Sequence, residues 1–187
     1  QEAYTELAQL SKIKNEHDVN KAFPDGLGGY PATYQSVQFM KGYLNFLISE
    51  WNAGKKLTSP FWIAGVDQIN PNPNGQYTKP ILLLVNELDF SGGDFFPATL
   101  QDNKRVTVMG TRTSGAGGYV YDVEFPNNLG IDHIRVTESI AYRSGEEPIE
   151  NLGVTPDVPY ALTESDYRNN YKPYVNKILE TVSKMVP

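Results

Sequence analysis

Apolar positions along the chain change period several times, and each change predicts an element. Tyr34, Val37, Met40, Tyr43, Leu44, Leu47, Ile48 and Trp51 recur at three- and four-residue intervals. This spacing puts them on one face of a helix ending near Gly54, and that face is expected to pack on a sheet. Before it, residues 1–14 permit a helix but are short and polar, and FPDGLGGYP at 23–31 is rich in turn formers. Residues 1–31 therefore read as a linker or fragment edge. A second turn-rich stretch, NPNPNGQYTKP at 70–80, leads into ILLLV at 81–85, a short apolar run that reads as a buried strand with apolar residues on both faces.

Residues 86–100, NELDFSGGDFFPATL, follow that strand directly. Phe95, Phe96, Ala98 and Leu100 suit a helix, and Gly92 and Gly93 allow a tight turn at its start. Strand, sharp turn and helix are thus expected in succession. Residues 105–110 read as another strand, 119–125 and 131–137 as alternating strands across a PNNLG turn, and 140–143 as a short one. At the end, Thr163 and Asp166 form a capping pair. Tyr171, Tyr174, Val175, Ile178, Leu179 and Val182 then make the stripe of a helix expected to bury that face. There is no internal repeat, and residues 32–187 read as one α/β domain.

Charge and composition narrow the chemistry. The net charge of −6 is spread over interspersed acids and bases, so the basic stripe needed for a phosphate backbone is missing and nucleic acid is not an expected partner. With no cysteine, disulfides, thiolate catalysis and cysteine-ligated zinc are excluded, and His17 and His133 are the only imidazoles. No metal or organic cofactor is implied. No apolar run approaches the ~20 residues that span a bilayer, so membrane anchoring is not expected. The chain opens on Gln1 without a charged and apolar leader, which reads as a processed chain or an excised fragment.

A serine that ends a strand-to-helix turn is exposed beside unpaired backbone N–H groups, as a nucleophile must be. Ser91 has this place. The N–H of Gly92 and the positive helix end would favour a developing oxyanion. A serine at a helix start is, however, ordinarily an N-cap, and local reasoning leaves that reading ahead. The hydroxyl would also need a base. His17, in the polar run KNEHDVNK, and His133, in IDHIRV, both read as surface residues.

Three blocks change the weighting. KPILLLVNELDFSGGDFFPATLQDN resembles the nucleophile region of the S41 peptidases, the family of the C-terminal processing proteases and the tricorn core protease. VMGTRTSGAGGYV and IENLGVTPDV follow in the family's order. The resemblance implies a crotonase-like α/β core with mixed sheet and flanking helices, Ser91 as nucleophile, Glu150 as a carboxylate orienting the base, and the Gly92 N–H in the oxyanion hole. One branch of the family draws its base from a lysine within Gly-Lys-Gly; here the triplet is Gly115-Ala116-Gly117. The branch with the tricorn protease uses a histidine from an upstream part of the polypeptide, so an upstream fragment of the same protein becomes an expected partner. Gly92 departs from the slightly larger residue common after the serine.

What the resemblance implies is a serine endopeptidase acting on protein or peptide substrates, secreted or periplasmic, inactive as the isolated chain, with a homo-oligomer left open. An S41-fold domain that binds peptides without cutting them is the alternative, and a crotonase-type acyl-CoA enzyme a weaker one. Glu150 would otherwise be an exposed acid in GEEPIEN. Gly115, Gly117 and Gly118 read first as turn glycines, Arg112 as a partner of a core carboxylate or of substrate, and Tyr119 and Tyr121 as packing residues.

Overall fold

A computed structural model describes residues 1–27, 31–62 and 72–186. Parts of both turn-rich segments, residues 28–30 and 70–71, lie outside the described residues. The chain divides into two compact units, Gln1–Gln76 and Tyr77–Pro187.

The first unit is helical. The stretch expected to be a linker carries α1 (Glu2–Leu10) and α2 (Glu16–Ala22), which pack on α3 (Tyr34–Asn52). Leu10, Ile13 and Val19 are buried with Val37 and Leu44 of α3, so the α3 face expected to meet a sheet meets these helices instead. Helices of this length are not stable by propensity alone and form because they bury such contacts, which is why their periodicity is too short to read. Asn15 caps α2 by accepting the Asp18 N–H, and Thr33 caps α3 in a reciprocal box with Ser36.

In the second unit, β1 (Leu82–Val85), α4 (Gly92–Asp102) and β2 (Thr107–Gly110) form a parallel βαβ unit. The sheet order is β1-β2-β5, with β5 (Val158–Pro159) parallel to β2. Val85, Val108 and Met109 are buried, whereas Leu84 is exposed, so β1 is not apolar-buried on both faces among the described residues. The two-residue β5 has no alternating pattern to read. It is set by Asp157, whose carboxylate accepts the Val108 N–H at 2.8 Å and a Gln101 amide N–H at 3.0 Å. Strands β3 (Val120–Val123) and β4 (Ile134–Thr137) pair antiparallel across the predicted turn. The expected strand at 140–143 shrinks to one bridge between Tyr142 and Pro148.

The C-terminal helix is two helices. Thr163 and Asp166 cap α5 (Glu164–Arg168) in the expected box, and the left-handed Asn170 and Tyr171 then break the chain before α6 (Lys172–Met185). Pro173, in the first turn of α6, is the sequence signal for this restart. Of the predicted stripe, Tyr174 and Ile178 are half-buried while Tyr171, Val175, Leu179 and Val182 are exposed.

The segment that follows β4 is fastened to α4 by Arg143, which donates to Asp102 at 3.0 Å from Nε and to Gln101 at 2.9 Å from Nη2, while the Ser144 N–H reaches Asp102 at 3.1 Å. Burial alone would raise the Asp102 carboxyl, but Arg143 and the Ser144 N–H outweigh it and hold it below its ordinary value of 3.8. A carboxyl lowered on folding contributes stability above 3.8 and loses it as pH falls through the lowered value. Asp102→Asn should therefore destabilise the second unit by roughly 1–3 kcal/mol at neutral pH. In urea unfolding the difference from wild type should shrink in acid; an equal difference at both pH values would contradict the assignment.

Candidate active site

Ser91 stands at the N-cap of α4, at the carboxyl end of β1, where parallel α/β sheets place their sites. It differs from the threonine caps of α3 and α5. Thr33 and Thr163 have extended backbones, with φ −126° and −105°, and their hydroxyls accept a helix N–H. Ser91 has φ 55° and ψ −117°, and its side chain makes no capping bond. Its peptide groups, in contrast, are fully engaged. The carbonyl accepts the Asp94 and Phe95 N–H groups at 2.9 and 3.0 Å, and the N–H donates to the Ala116 carbonyl at 2.9 Å. An exposed hydroxyl is thus carried on a fixed, left-handed backbone that costs about 1–3 kcal/mol at a residue with a β carbon.

The turn before the serine is built from its own polar side chains. Asn86 and Leu88 donate their N–H groups to Asp89 at 2.7 Å and to Asn86 at 2.8 Å respectively. The Asp89 carbonyl accepts the Ser114 N–H at 2.8 Å, which ties the turn to the loop leaving β2. Gly92, the first helical residue, has an N–H without a partner among the described residues, and a β carbon built there meets nothing within 4 Å. That N–H lies at the positive end of α4 in open space.

Glu150 is half-buried and fixed from both sides. One carboxylate oxygen accepts the Gly118 N–H and the other the Ala141 N–H at 3.1 Å. Only glycine permits this approach at position 118, since a β carbon there would collide with the Ser139 carbonyl oxygen and lie 2.5 Å from the Glu150 carboxylate. Ser91 is bonded to Ala116 and Glu150 to Gly118, two loop positions whose α carbons are at most about 7.6 Å apart. One short loop thereby holds both residues.

The other expectations fare variously. Arg112 pairs with no carboxylate among the described residues; it donates to the Asn151 and Leu152 carbonyls at 2.7 Å each, clamping the turn after Glu150. Gly115, with φ 77°, is a turn glycine. Tyr119 and Tyr121, read as packing residues, are exposed on β3 and its approach. His133 is exposed and lies 3.9 Å from Asp122 and from Asp132, without a hydrogen bond to Ser91 or Glu150. His17 is exposed on α2, in the other unit. Sequence reasoning missed Asp94, which is fully buried and accepts from Thr113, Gly115 and Ala116. Its signal is faint: an acid four residues before the buried Ala98, hence on the inward face of a helix.

The sequence profile of peptidase family S41 matches residues 29–160. A protein of Chlamydia muridarum is 39% identical over 182 residues, covering 96% of this chain and 30% of its own length. A carboxy-terminal-processing protease of Bartonella bacilliformis is 29% identical over 96 residues, 51% of this chain and 21% of that protein. Among solved structures, mature CPAF superposes with TM-score 0.79 at 36% identity, covering 98% of this chain and 35% of that one. The chain spans about a third of the length of the Chlamydia muridarum protein and of mature CPAF.

The uncapped, left-handed serine has a stability signature. Ser91→Gly should stabilise the second unit by about 1 kcal/mol by relieving the backbone. Ser91→Ala should stay within about 0.5 kcal/mol of wild type because no capping bond is lost. Thr163→Ala, which removes a true cap, should cost about 1 kcal/mol. A cost for Ser91→Ala equal to that of Thr163→Ala in denaturant unfolding would show that Ser91 is an ordinary cap.

Proposed function

This chain belongs to peptidase family S41, and from that premise we propose that it serves peptide-bond hydrolysis through an acyl-enzyme on Ser91. The observation that carries the reading is the serine itself: a free hydroxyl on a backbone whose N–H and carbonyl are both bound. A fold tolerates such strain where the side chain's position matters more than local stability.

In this reading, Ser91 Oγ attacks the scissile carbonyl while a base takes its proton. The Gly92 N–H, unpaired at the start of α4 among the described residues, binds the tetrahedral oxyanion. Neither histidine of the chain is hydrogen-bonded to Ser91 or Glu150, and the Gly115-Ala116-Gly117 triplet holds no lysine. In this reading the resemblance to the branch of the family that includes the tricorn protease supplies the base, a histidine from an upstream part of the polypeptide, which accepts the serine proton and passes it to the leaving amine. Glu150 orients it. Each of its carboxylate oxygens accepts one backbone N–H and keeps a lone pair for an imidazole N–H, so the acid is immobilised without being saturated. Water then attacks the ester carbonyl and releases Ser91.

The wider setting belongs to the same proposal: a crotonase-like core completed by the upstream segment, protein or peptide substrates, and a secreted or periplasmic site of action. The rival reading, a peptide-binding domain without hydrolysis, draws on the absence of a base hydrogen-bonded to Glu150 among the described residues.

Two measurements separate the readings. In the full-length protein, Ser91→Ala should lower kcat on a fluorogenic peptide on the order of 10⁶-fold while peptide binding survives. The 187-residue chain alone should be inactive, and activity should return when it is mixed with or fused to the upstream segment. Serine-dependent cleavage by the chain alone would transfer suspicion to His17 or His133, and a full-length protein that binds but never cuts would favour the rival.

A further inference from the structure

We propose that Asp94 is a positioning residue for Ser91, acting through the loop that leaves β2; this rests on the reading of Ser91 as nucleophile. Asp94 lies in the first turn of α4 with its side chain fully buried. One carboxylate oxygen accepts the Thr113 hydroxyl at 2.5 Å and the Gly115 N–H at 3.0 Å, and the other accepts the Ala116 N–H at 2.8 Å. Burying a carboxylate is costly unless its lone pairs are met, and here three donors of one loop meet them.

These bonds close a ring around the serine. The Asp94 N–H donates to the Ser91 carbonyl at 2.9 Å, the Asp94 carboxylate takes the Ala116 N–H, and the Ala116 carbonyl takes the Ser91 N–H at 2.9 Å. The Asp94 side chain therefore reaches the Ser91 N–H through the single residue Ala116, while the Asp94 backbone N–H holds the Ser91 carbonyl, with Ser91 at φ 55°. The Thr113 hydroxyl extends the ring by accepting the Val154 N–H at 2.7 Å. An amide in place of the carboxylate cannot satisfy all three donors. Asparagine turns one oxygen into an N–H donor, which must face either the Ala116 N–H or the Thr113 and Gly115 donors. The ring then opens at a donor–donor contact, and Ser91 Oγ loses its fixed position.

The test uses the full-length enzyme with Asp94→Asn, its fold checked by circular dichroism and thermal unfolding and its rates normalised to folded protein. Inactivation by a serine-reactive phosphonate and kcat on a fluorogenic peptide should fall together, on the order of 10²-fold, as expected for a misplaced nucleophile, while KM stays near wild type. A merely structural role would lower the thermal midpoint but leave the inactivation rate per folded molecule unchanged, and that result overturns the proposal. If Asp94→Asn does not fold, Thr113→Ser and Thr113→Val probe the same ring. The Thr113→Ser protein should react with phosphonate like wild type and the Thr113→Val protein much more slowly, and equal rates would overturn the proposal. Should the phosphonate fail to react with the wild type at Ser91, the nucleophile reading itself has failed, independently of Asp94.

Discussion

The hydrogen bond from the Ser91 N–H to the Ala116 carbonyl joins the two halves of the site. On one side lies the strand-turn-helix of β1 and α4, which supplies the serine and the Gly92 N–H, unpaired among the described residues. On the other lies the loop from β2, whose next residues receive Glu150 through Gly118. An ordinary cap would turn its hydroxyl back onto the helix. Thr33 and Thr163 have both peptide groups bound and still cap, so what sets Ser91 apart is its backbone conformation, φ 55° and ψ −117°, in which its side chain makes no capping bond.

The rest of the second unit is organised to keep that loop in place. Arg112 clamps the carbonyls of Asn151 and Leu152, and Arg143 fastens the segment before Glu150 to the end of α4. Close glycine contacts allow the two loops to interlock. At Gly118 a side chain would displace Glu150, and at Gly115, with φ 77°, it would strike the Gly153 nitrogen at 2.8 Å. Close to Ser91 in the chain, Leu88, Phe90 and Phe96 are exposed.

Much of this is legible in the sequence because the informative segments obey strong local rules. The apolar run at 81–85 specifies a strand and the Thr163 and Asp166 pair a helix start, whereas Gly92 and Gly93, expected to make the tight turn, are the first residues of α4 and the turn is built by Asn86 and Asp89. Ser91 and Glu150 are singled out by motif resemblance, since neither residue type nor periodicity separates a nucleophile from a cap, or an orienting carboxylate from a surface acid. What escapes depends on tertiary contacts. The helices α1 and α2 are too short to show a period and exist by packing on α3, and the two-residue β5 is set by a side chain, Asp157, and not by its own pattern. Asp94 escapes for a different reason: its burial depends on donors some twenty residues away, which no local pattern encodes.

If the uncapped serine is the nucleophile, it must be chemically activated in the complete protein, beyond the reactivity of any other exposed hydroxyl. Treating the full-length enzyme with a serine-reactive fluorophosphonate and mapping the adduct by mass spectrometry tests this most directly. A stoichiometric adduct is expected on the peptide containing Ser91, with none on Ser11 or Ser165, exposed serines in the same digest that serve as unactivated controls. Peptide hydrolysis that continues after Ser91 has been replaced by alanine, or an adduct spread evenly over these three serines, would contradict it.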